Sequence, residues 1–170
     1  MSKEILFIGQ ALPEKPAKYP FARSRLYKWL ESIEISKEKA LEISEFNAIL
    51  DYFPGKLGKA DRTPSWKDIE HNRERLYSLI EQINPLIIVA IGKVATQAIL
   101  NHQKKIELSS YVGKEFDIPP FGIGKRNYKT VVLPHPSGLS TWVYQKDNQT
   151  LLNASLAVIK QHLAFPNQDK

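Results

Sequence analysis

The chain has 170 residues, of which 42% are hydrophobic and 25% charged, and its formal net charge is +6 at pH 7. This composition excludes a disordered chain, and no apolar run approaches the roughly 18 to 20 residues of a membrane-spanning helix. The absence of cysteine excludes disulfides, thiolate catalysis and cysteine-ligated clusters, and it agrees with a reducing cytosol. We expect one cytoplasmic domain over residues 1–170, with no membrane association.

Four apolar runs predict strands: EILFIG (4–9), EISEFNAIL (42–50), LIIVAIG (86–92) and KTVVLPH (129–135). The first run is typical of a strand rather than of a signal peptide. Apolar residues at helical spacing predict helices over 22–33, 66–83, 93–101 and 148–163. Ser65 and Asp68 resemble the start of the second helix. The segment 103–128 has little pattern and is expected to be rich in loops.

The alternation of strands and helices predicts an α/β fold. We expect a three-layer αβα sandwich with a central, mainly parallel four-stranded sheet. In such sheets, ligands bind outside the carboxyl ends of the strands. The segments that follow the four strands are therefore the candidates for function: 10–21, 51–63, 92–93 and 135–147.

Two residues near the first two strand ends have alternative interpretations. Phe21 ends a proline-rich loop, so it is either a core aromatic or a flat wall on which a planar ligand stacks. Asn47 lies within an apolar strand, and its amide needs hydrogen-bond partners. It therefore either bonds neighbouring backbone or pairs with the edge of a nucleobase.

The fourth strand end carries a histidine between two prolines. Pro134 and Pro136 restrict the backbone of His135 on both sides, and small or polar residues follow in the run SGLS (137–140). A lone histidine is often structural, but this position at a strand's carboxyl end favours a catalytic role. The four histidines are scattered without paired-ligand spacing, so we expect no metal site.

Basic residues cluster in the first two strand-end segments. They are Lys15, Lys18, Arg23, Arg25 and Lys28 in and beyond the first loop, and Lys56, Lys59 and Arg62 in the second. Such a cluster is either a solvated basic surface or a cationic rim for a polyanion. Combined with an aromatic wall, an amide and a histidine, it suits a base drawn out of a nucleic-acid strand.

Five segments, in order, resemble motifs of the uracil-DNA glycosylase superfamily. They are LFIGQALP, YPFARSRLYKWL, FNAILDYFPG, NPLIIVAIGKVATQAIL and HPSGLS. The last is the most specific and the first is degenerate. The pattern is most similar to the small bacterial branches of the superfamily, without their iron–sulfur cysteines. The resemblance covers nearly the whole chain and implies a DNA glycosylase without a cofactor. The lack of an evident lysine nucleophile in the pocket predicts a monofunctional enzyme, with Lys15 and Lys93 as the alternatives.

The resemblance also implies roles for individual residues. His135 would stabilise negative charge on the departing base, Phe21 would stack on that base, and Asn47 would read its edge. Gly9 and Ala11 would form part of the base pocket, and Gln10 would orient the attacking water.

The remaining roles implied by the resemblance concern DNA as the partner, in single or double strands. Ser137, Gly138 and Ser140 would hold a phosphate, and Leu139 would fill the space left by the extruded nucleotide. Arg23, Lys56 and Lys93 are further candidates for DNA contact. We expect the protein to act as a monomer.

The first motif departs from the family pattern. Gln10 and Ala11 stand where the family usually has a carboxylate or asparagine, and a glutamine amide orients water but cannot take its proton at neutral pH. Two alternatives to a DNA glycosylase therefore remain open: a non-catalytic module that binds DNA or a modified base, and an enzyme acting on free nucleosides or nucleotides.

Overall fold

The structure is a computed structural model that describes residues 3–164, so residues 1–2 and 165–170 of the predicted domain lie outside the described residues. A central sheet and a small hairpin contain the strands of this described part. The strands are β1 (Ile5–Ala11), β2 (Ser44–Leu50), β3 (Lys56–Leu57), β4 (Ala60–Asp61), β5 (Ile87–Ile91), β6 (Glu115–Ile118) and β7 (Tyr128–Leu133).

The central sheet has the order β2-β1-β5-β7-β6, while β3 and β4 pair as an antiparallel hairpin. The first four strands of the sheet are parallel, and β6 pairs antiparallel with β7. The carboxyl ends of the four parallel strands therefore meet at one edge, where the predicted functional segments emerge.

Helices cover both faces of the sheet. They are α1 (Leu26–Glu31), α2 (Lys37–Ile43), α3 (Trp66–Ile83), α4 (Gly92–Ile99) and α5 (Lys146–Ala164). Phe7, Val89 and Leu133 are buried under α1, α2 and α5, whereas the alternate positions Ile8 and Ile88 are buried under α3 and α4. Burying each such side chain contributes about 1.5–3 kcal/mol to folding. The predicted αβα sandwich is confirmed.

The sheet differs from the prediction in the number of its strands and in the start of the second strand. The sheet has five strands rather than four, because Glu115–Ile118 pairs along the edge of β7 within the segment expected to be loop-rich. The second strand begins at Ser44 rather than at residue 42, because α2 continues to Ile43. Helix α2 was missed, although Ser36 caps it by accepting from the Lys39 amide at 3.1 Å.

The predicted helices over 66–83 and 148–163 are confirmed as α3 and α5, the latter two residues earlier at its start. Ser65 and Asp68 form the expected capping box. The first helix, expected over 22–33, is shorter and spans Leu26–Glu31, because residues 22–25 form a turn. Within residues 3–164, no helix combines the length and apolar character that crossing a membrane requires.

Candidate functional site

A cleft of about 690 Å³ opens at the carboxyl edge of the parallel strands. Its lining is drawn from the end of β1, the middle of β2 and the segment after β7, together with the loop after β1 and the hairpin region. The predicted site residues among its lining are Gly9, Gln10, Ala11, Phe21, Arg23, Asn47, His135 and Ser137. Residues more than 120 positions apart in the sequence thus share one cavity.

Phe21 forms an aromatic side of this cleft. Its backbone has φ = 58°, which is unusual for a bulky residue, and the Ser24 amide and hydroxyl both bond its carbonyl oxygen. Its ring lies 6.2 Å from that of Phe46, measured between centroids. A Cβ atom at Gly9 would lie 3.3 Å from the Phe21 ring. Glycine at this position therefore lets the ring approach β1 closely.

Asn47 is half-buried and lies in β2, the strand at one edge of the sheet. Its Oδ1 accepts from the Ala48 amide at 2.9 Å and from Nη1 of Arg75 at 3.1 Å. Arg75 lies on α3 and also donates to the carbonyl oxygens of Ala48 and Ile49, each at 3.0 Å. Arg75 was not singled out in the sequence.

His135 lies two residues after the end of β7, and a hydrogen bond within its own loop orients its side chain. The Ser137 amide donates to Nδ1 at 3.2 Å, so a neutral imidazole carries its proton on Nε2. His135 is partly exposed to the cleft, yet the protein around it desolvates the imidazole and lowers its pKa below the usual 6.5. The neutral tautomer with an Nε2–H donor is therefore the form expected at pH 7.

Gly92 lies beside this histidine at the junction of β5 and α4. Its φ is +85°, and a Cβ atom there would stand 3.9 Å from His135 Cβ and Cδ2. A side chain at this position would therefore contact His135, and the positive φ favours glycine. Lys93, the next residue, is exposed and lies outside the cleft lining.

The loop after His135 is braced by Arg25, which the sequence marked only as one of a basic cluster. The Arg25 amide donates to the Pro136 carbonyl oxygen at 3.0 Å. The guanidinium donates to the carbonyl oxygens of Ser137 and, at 2.8 Å, Ser140. The sequence left open whether this basic cluster faces solvent or a polyanion; the Arg25 side chain instead fixes the protein's own loop.

Residues 137–140 form a tight turn. The Ser140 amide donates to the Ser137 carbonyl oxygen at 3.1 Å, and the Leu139 amide donates to the Ser137 hydroxyl at 3.2 Å. Leu139 is 93% exposed at the tip of this turn. Gly138, Leu139 and Ser140 adjoin the cleft but do not line it.

Carboxylates are sparse around the cleft. Among the described residues of its lining, Asp61 is the one carboxylate, at the end of the β3–β4 hairpin. Glu14 pairs with Lys56 at 3.3 Å, and Asp51 lies 3.8 Å from Nε of Arg75. The predicted DNA-contact residue Lys56 thus lies outside the lining and is already paired with an acid. Within residues 3–164, no cluster of acidic or histidine side chains could hold a metal ion.

Comparison with protein families shows what the chain is similar to. The sequence profile of the family described as Uracil DNA glycosylase superfamily matches residues 2–159. The match therefore includes all strands, the cleft and most of α5. A search of curated proteins finds no match.

Proposed function

Since this chain belongs to the uracil DNA glycosylase superfamily, we propose that it is a monofunctional DNA glycosylase. Membership supports a glycosylase-type function on DNA, and our proposal adds the base that is removed and the chemistry of its removal. The protein extrudes uracil or a related base from a DNA strand and hydrolyses its N-glycosidic bond, leaving an abasic site. It needs no cofactor, since water is the nucleophile. We also propose that it acts as a monomer inside the cell.

The observation that carries this proposal is the convergence of three kinds of group in one cleft. Phe21 offers an aromatic face, Asn47 an amide and His135 an imidazole, and all three line the same cavity of about 690 Å³. A flipped base needs a stacking surface and hydrogen bonds to its edge. Such a cavity at the carboxyl edge of a parallel sheet is also the expected location of a ligand site.

In the proposed reaction, His135 stabilises the departing base. The bond between the sugar C1′ and the base nitrogen breaks, and its electron pair moves onto the base. The neutral imidazole donates from Nε2 to the base oxygen on which this charge develops. A donor whose position is fixed before the reaction stabilises such a charge without having to reorganise. The Ser137 amide that bonds Nδ1 supports this fixed position.

The second half of the reaction is attack of water on the oxocarbenium-like C1′. Gln10 lines the cleft and orients this water. After attack the water gives its proton to bulk solvent, and the base anion takes up a proton from solvent on release. A glutamine amide is a weak activator. We therefore propose that the glycosidic bond is largely broken before water attacks C1′.

The DNA strand is held by the cationic rim and by the turn at residues 137–140. Arg23 lines the cleft, while Lys93 and Lys56 are exposed outside its lining. Charge of this sign neutralises phosphates and makes affinity depend on salt. The amides of Ser137 and Ser140 bond within the turn, so the Gly138 amide and the hydroxyls of Ser137 and Ser140 receive a phosphate beside the cleft. Leu139 enters the base stack.

Replacing Leu139 with alanine is expected to reduce excision from double-stranded DNA about ten-fold more than excision from single-stranded DNA. An exposed leucine fills the vacancy left in a stacked duplex, where unstacking costs a few kcal/mol, whereas a single strand has less stacking to replace. Excision rates on both substrates measure the ratio. Ile123→Ala is the matched control, because Ile123 is also exposed but precedes β7 at its amino end. Equal losses on both substrates would contradict the wedge role.

The proposed function is tested by abasic-site formation on end-labelled DNA carrying one uracil, in single and double strands. Strand breakage at that position after alkali is the expected result, with no breakage in the same DNA carrying thymine. Breakage without alkali would contradict the monofunctional assignment, because it indicates a lyase step by an amine such as Lys15, which lines the cleft. Absence of any breakage on a panel of deaminated bases would overturn the glycosylase assignment.

The alternative function is a non-catalytic module that binds DNA or a modified base. Gln10 and Ala11 favour it, because neither can take a proton from water. This module would bind DNA in a salt-dependent manner without forming abasic sites. An enzyme acting on free nucleosides would show no salt-dependent affinity for DNA.

A further inference from the structure

We infer that Arg75 is a positioning residue that sets base choice by committing the oxygen of Asn47. This inference rests on the proposed base-reading cleft and goes beyond it. In this arrangement the Asn47 amide donates hydrogen bonds to a base and does not accept one from it. The class of base selected is the one that presents a carbonyl oxygen, rather than an amino group, towards Asn47.

The first step is the orientation of the Asn47 amide. Two donors meet at the position of its oxygen: the Ala48 amide at 2.9 Å and Arg75 Nη1 at 3.1 Å. If the amide were reversed, its NH₂ group would face both donors. The pair of donors therefore fixes the oxygen on the α3 side and uses its two lone-pair positions.

The second step concerns which hydrogen-bonding groups of Asn47 remain available to a ligand. Within residues 3–164, Asn47 Nδ2 donates to no protein group, and Asn47 lines the cleft. The amide thus offers hydrogen-bond donors to the cleft while its acceptor is occupied. Uracil presents the O4 carbonyl to such a donor, whereas cytosine presents an amino group at the same position. Two facing NH₂ groups leave both sets of donors unsatisfied, which disfavours the amino base.

The third step is the rigidity of Arg75. Besides Asn47, its guanidinium donates to Asn72 Oδ1 at 3.2 Å and to the Ala48 and Ile49 carbonyl oxygens at 3.0 Å each. A planar guanidinium held by several acceptors has little freedom to turn. The carbonyl contacts also connect α3 to the later part of β2. Loss of Arg75 is therefore expected to lower stability as well as selectivity, and the test must separate these effects.

The experiment measures binding of single-stranded oligonucleotides that carry 2′-fluoro-2′-deoxyuridine or 2′-fluoro-2′-deoxycytidine, by fluorescence anisotropy. The 2′-fluorine slows glycosidic cleavage, so the readout is affinity and does not require turnover. The protein is expected to prefer the uracil oligonucleotide. Arg75→Met removes one of the two donors to Oδ1 and is expected to reduce this preference about ten-fold, the effect of one hydrogen bond.

Arg75→Lys retains a cationic donor and is expected to restore part of the preference. Arg73→Met is the matched control, because Arg73 lies on the same helix but donates to Asn101 Oδ1 at 3.0 Å. A preference that survives Arg75→Met, a protein with no preference, or equal weakening of both affinities would overturn the inference. If the preference is present and lost as expected while no uracil is excised, the proposed hydrolysis fails and the role of Arg75 stands.

Discussion

Excision of uracil by the His135→Ala variant is expected to be about 10²- to 10³-fold slower than by the unchanged protein, with the fold retained. This is the effect of removing one preorganised donor to a developing oxyanion. His135 is partly exposed to the cleft and lies beyond the end of β7, so its side chain contributes little to either core. Single-turnover excision kinetics measure the loss, and circular dichroism verifies the fold.

The matched control for this variant is His71→Ala, because His71 is exposed on α3 and lies outside the cleft lining. It is expected to excise uracil at the unchanged rate. DNA affinity is expected to be similar in both variants, since neither change removes a cation of the basic rim. A His135→Ala variant with a near-normal rate would end the catalytic assignment of this residue.

The pH dependence of the same reaction follows from the lowered pKa of His135. Desolvation disfavours the charged imidazole, so the neutral form persists below the usual value of 6.5. Protonation at Nδ1 also removes the acceptor for the Ser137 amide. The folded state binds this proton less readily than the unfolded state, so acidification below pH 6.5 lowers the stability of the fold. Excision is expected to slow over the same range, because the imidazole loses the Ser137 contact that holds it in position. Excision rates and thermal unfolding, both followed as the pH is lowered, check the two effects.

The candidates His135, which lies just beyond the end of a strand, and Asn47, which lies within one, could be proposed from the sequence because their signals are local. A buried apolar strand followed by His-Pro needs no knowledge of distant residues, and the parallel sheet then brings the strand ends together. The edge strand β6 gave no such signal. Its residues alternate between exposed and half-buried, and its pairing with β7 joins residues such as Glu115 and Val131 across 16 positions.

The hydrogen bonds of Arg25 and Arg75 were not predictable for a related reason. Arg25 bonds carbonyl oxygens more than 110 positions away, and Arg75 bonds Asn47 across 28 positions. The sequence does not distinguish an arginine that bonds the protein's own backbone from one that faces solvent or DNA. The positive φ of Phe21 likewise depends on the turn that encloses it. Tertiary contacts rather than local propensity determine these features.

Asn47→Asp is the second change with a large expected effect, because it converts the reading group from donor to acceptor. One carboxylate oxygen would keep the contacts of Oδ1 with Ala48 and Arg75. The other would replace Nδ2 and face the cleft. The adjacent guanidinium keeps the carboxylate ionised. Uracil excision is expected to fall about 100-fold, through a lost hydrogen bond and repulsion of O4, and cytosine excision is expected to appear.

The measurement is the ratio of uracil to cytosine excision on otherwise identical single strands, together with DNA affinity at fixed salt. Affinity is expected to remain close to that of the unchanged protein, because phosphate contacts dominate it. Asn72→Asp is the matched control: Asn72 Oδ1 also accepts from Arg75, at 3.2 Å, but Asn72 does not line the cleft. It adds the same charge beside the same guanidinium. If both variants kept the preference for uracil, Asn47 would not read the base. If both lost it, the added charge would act through Arg75 alone.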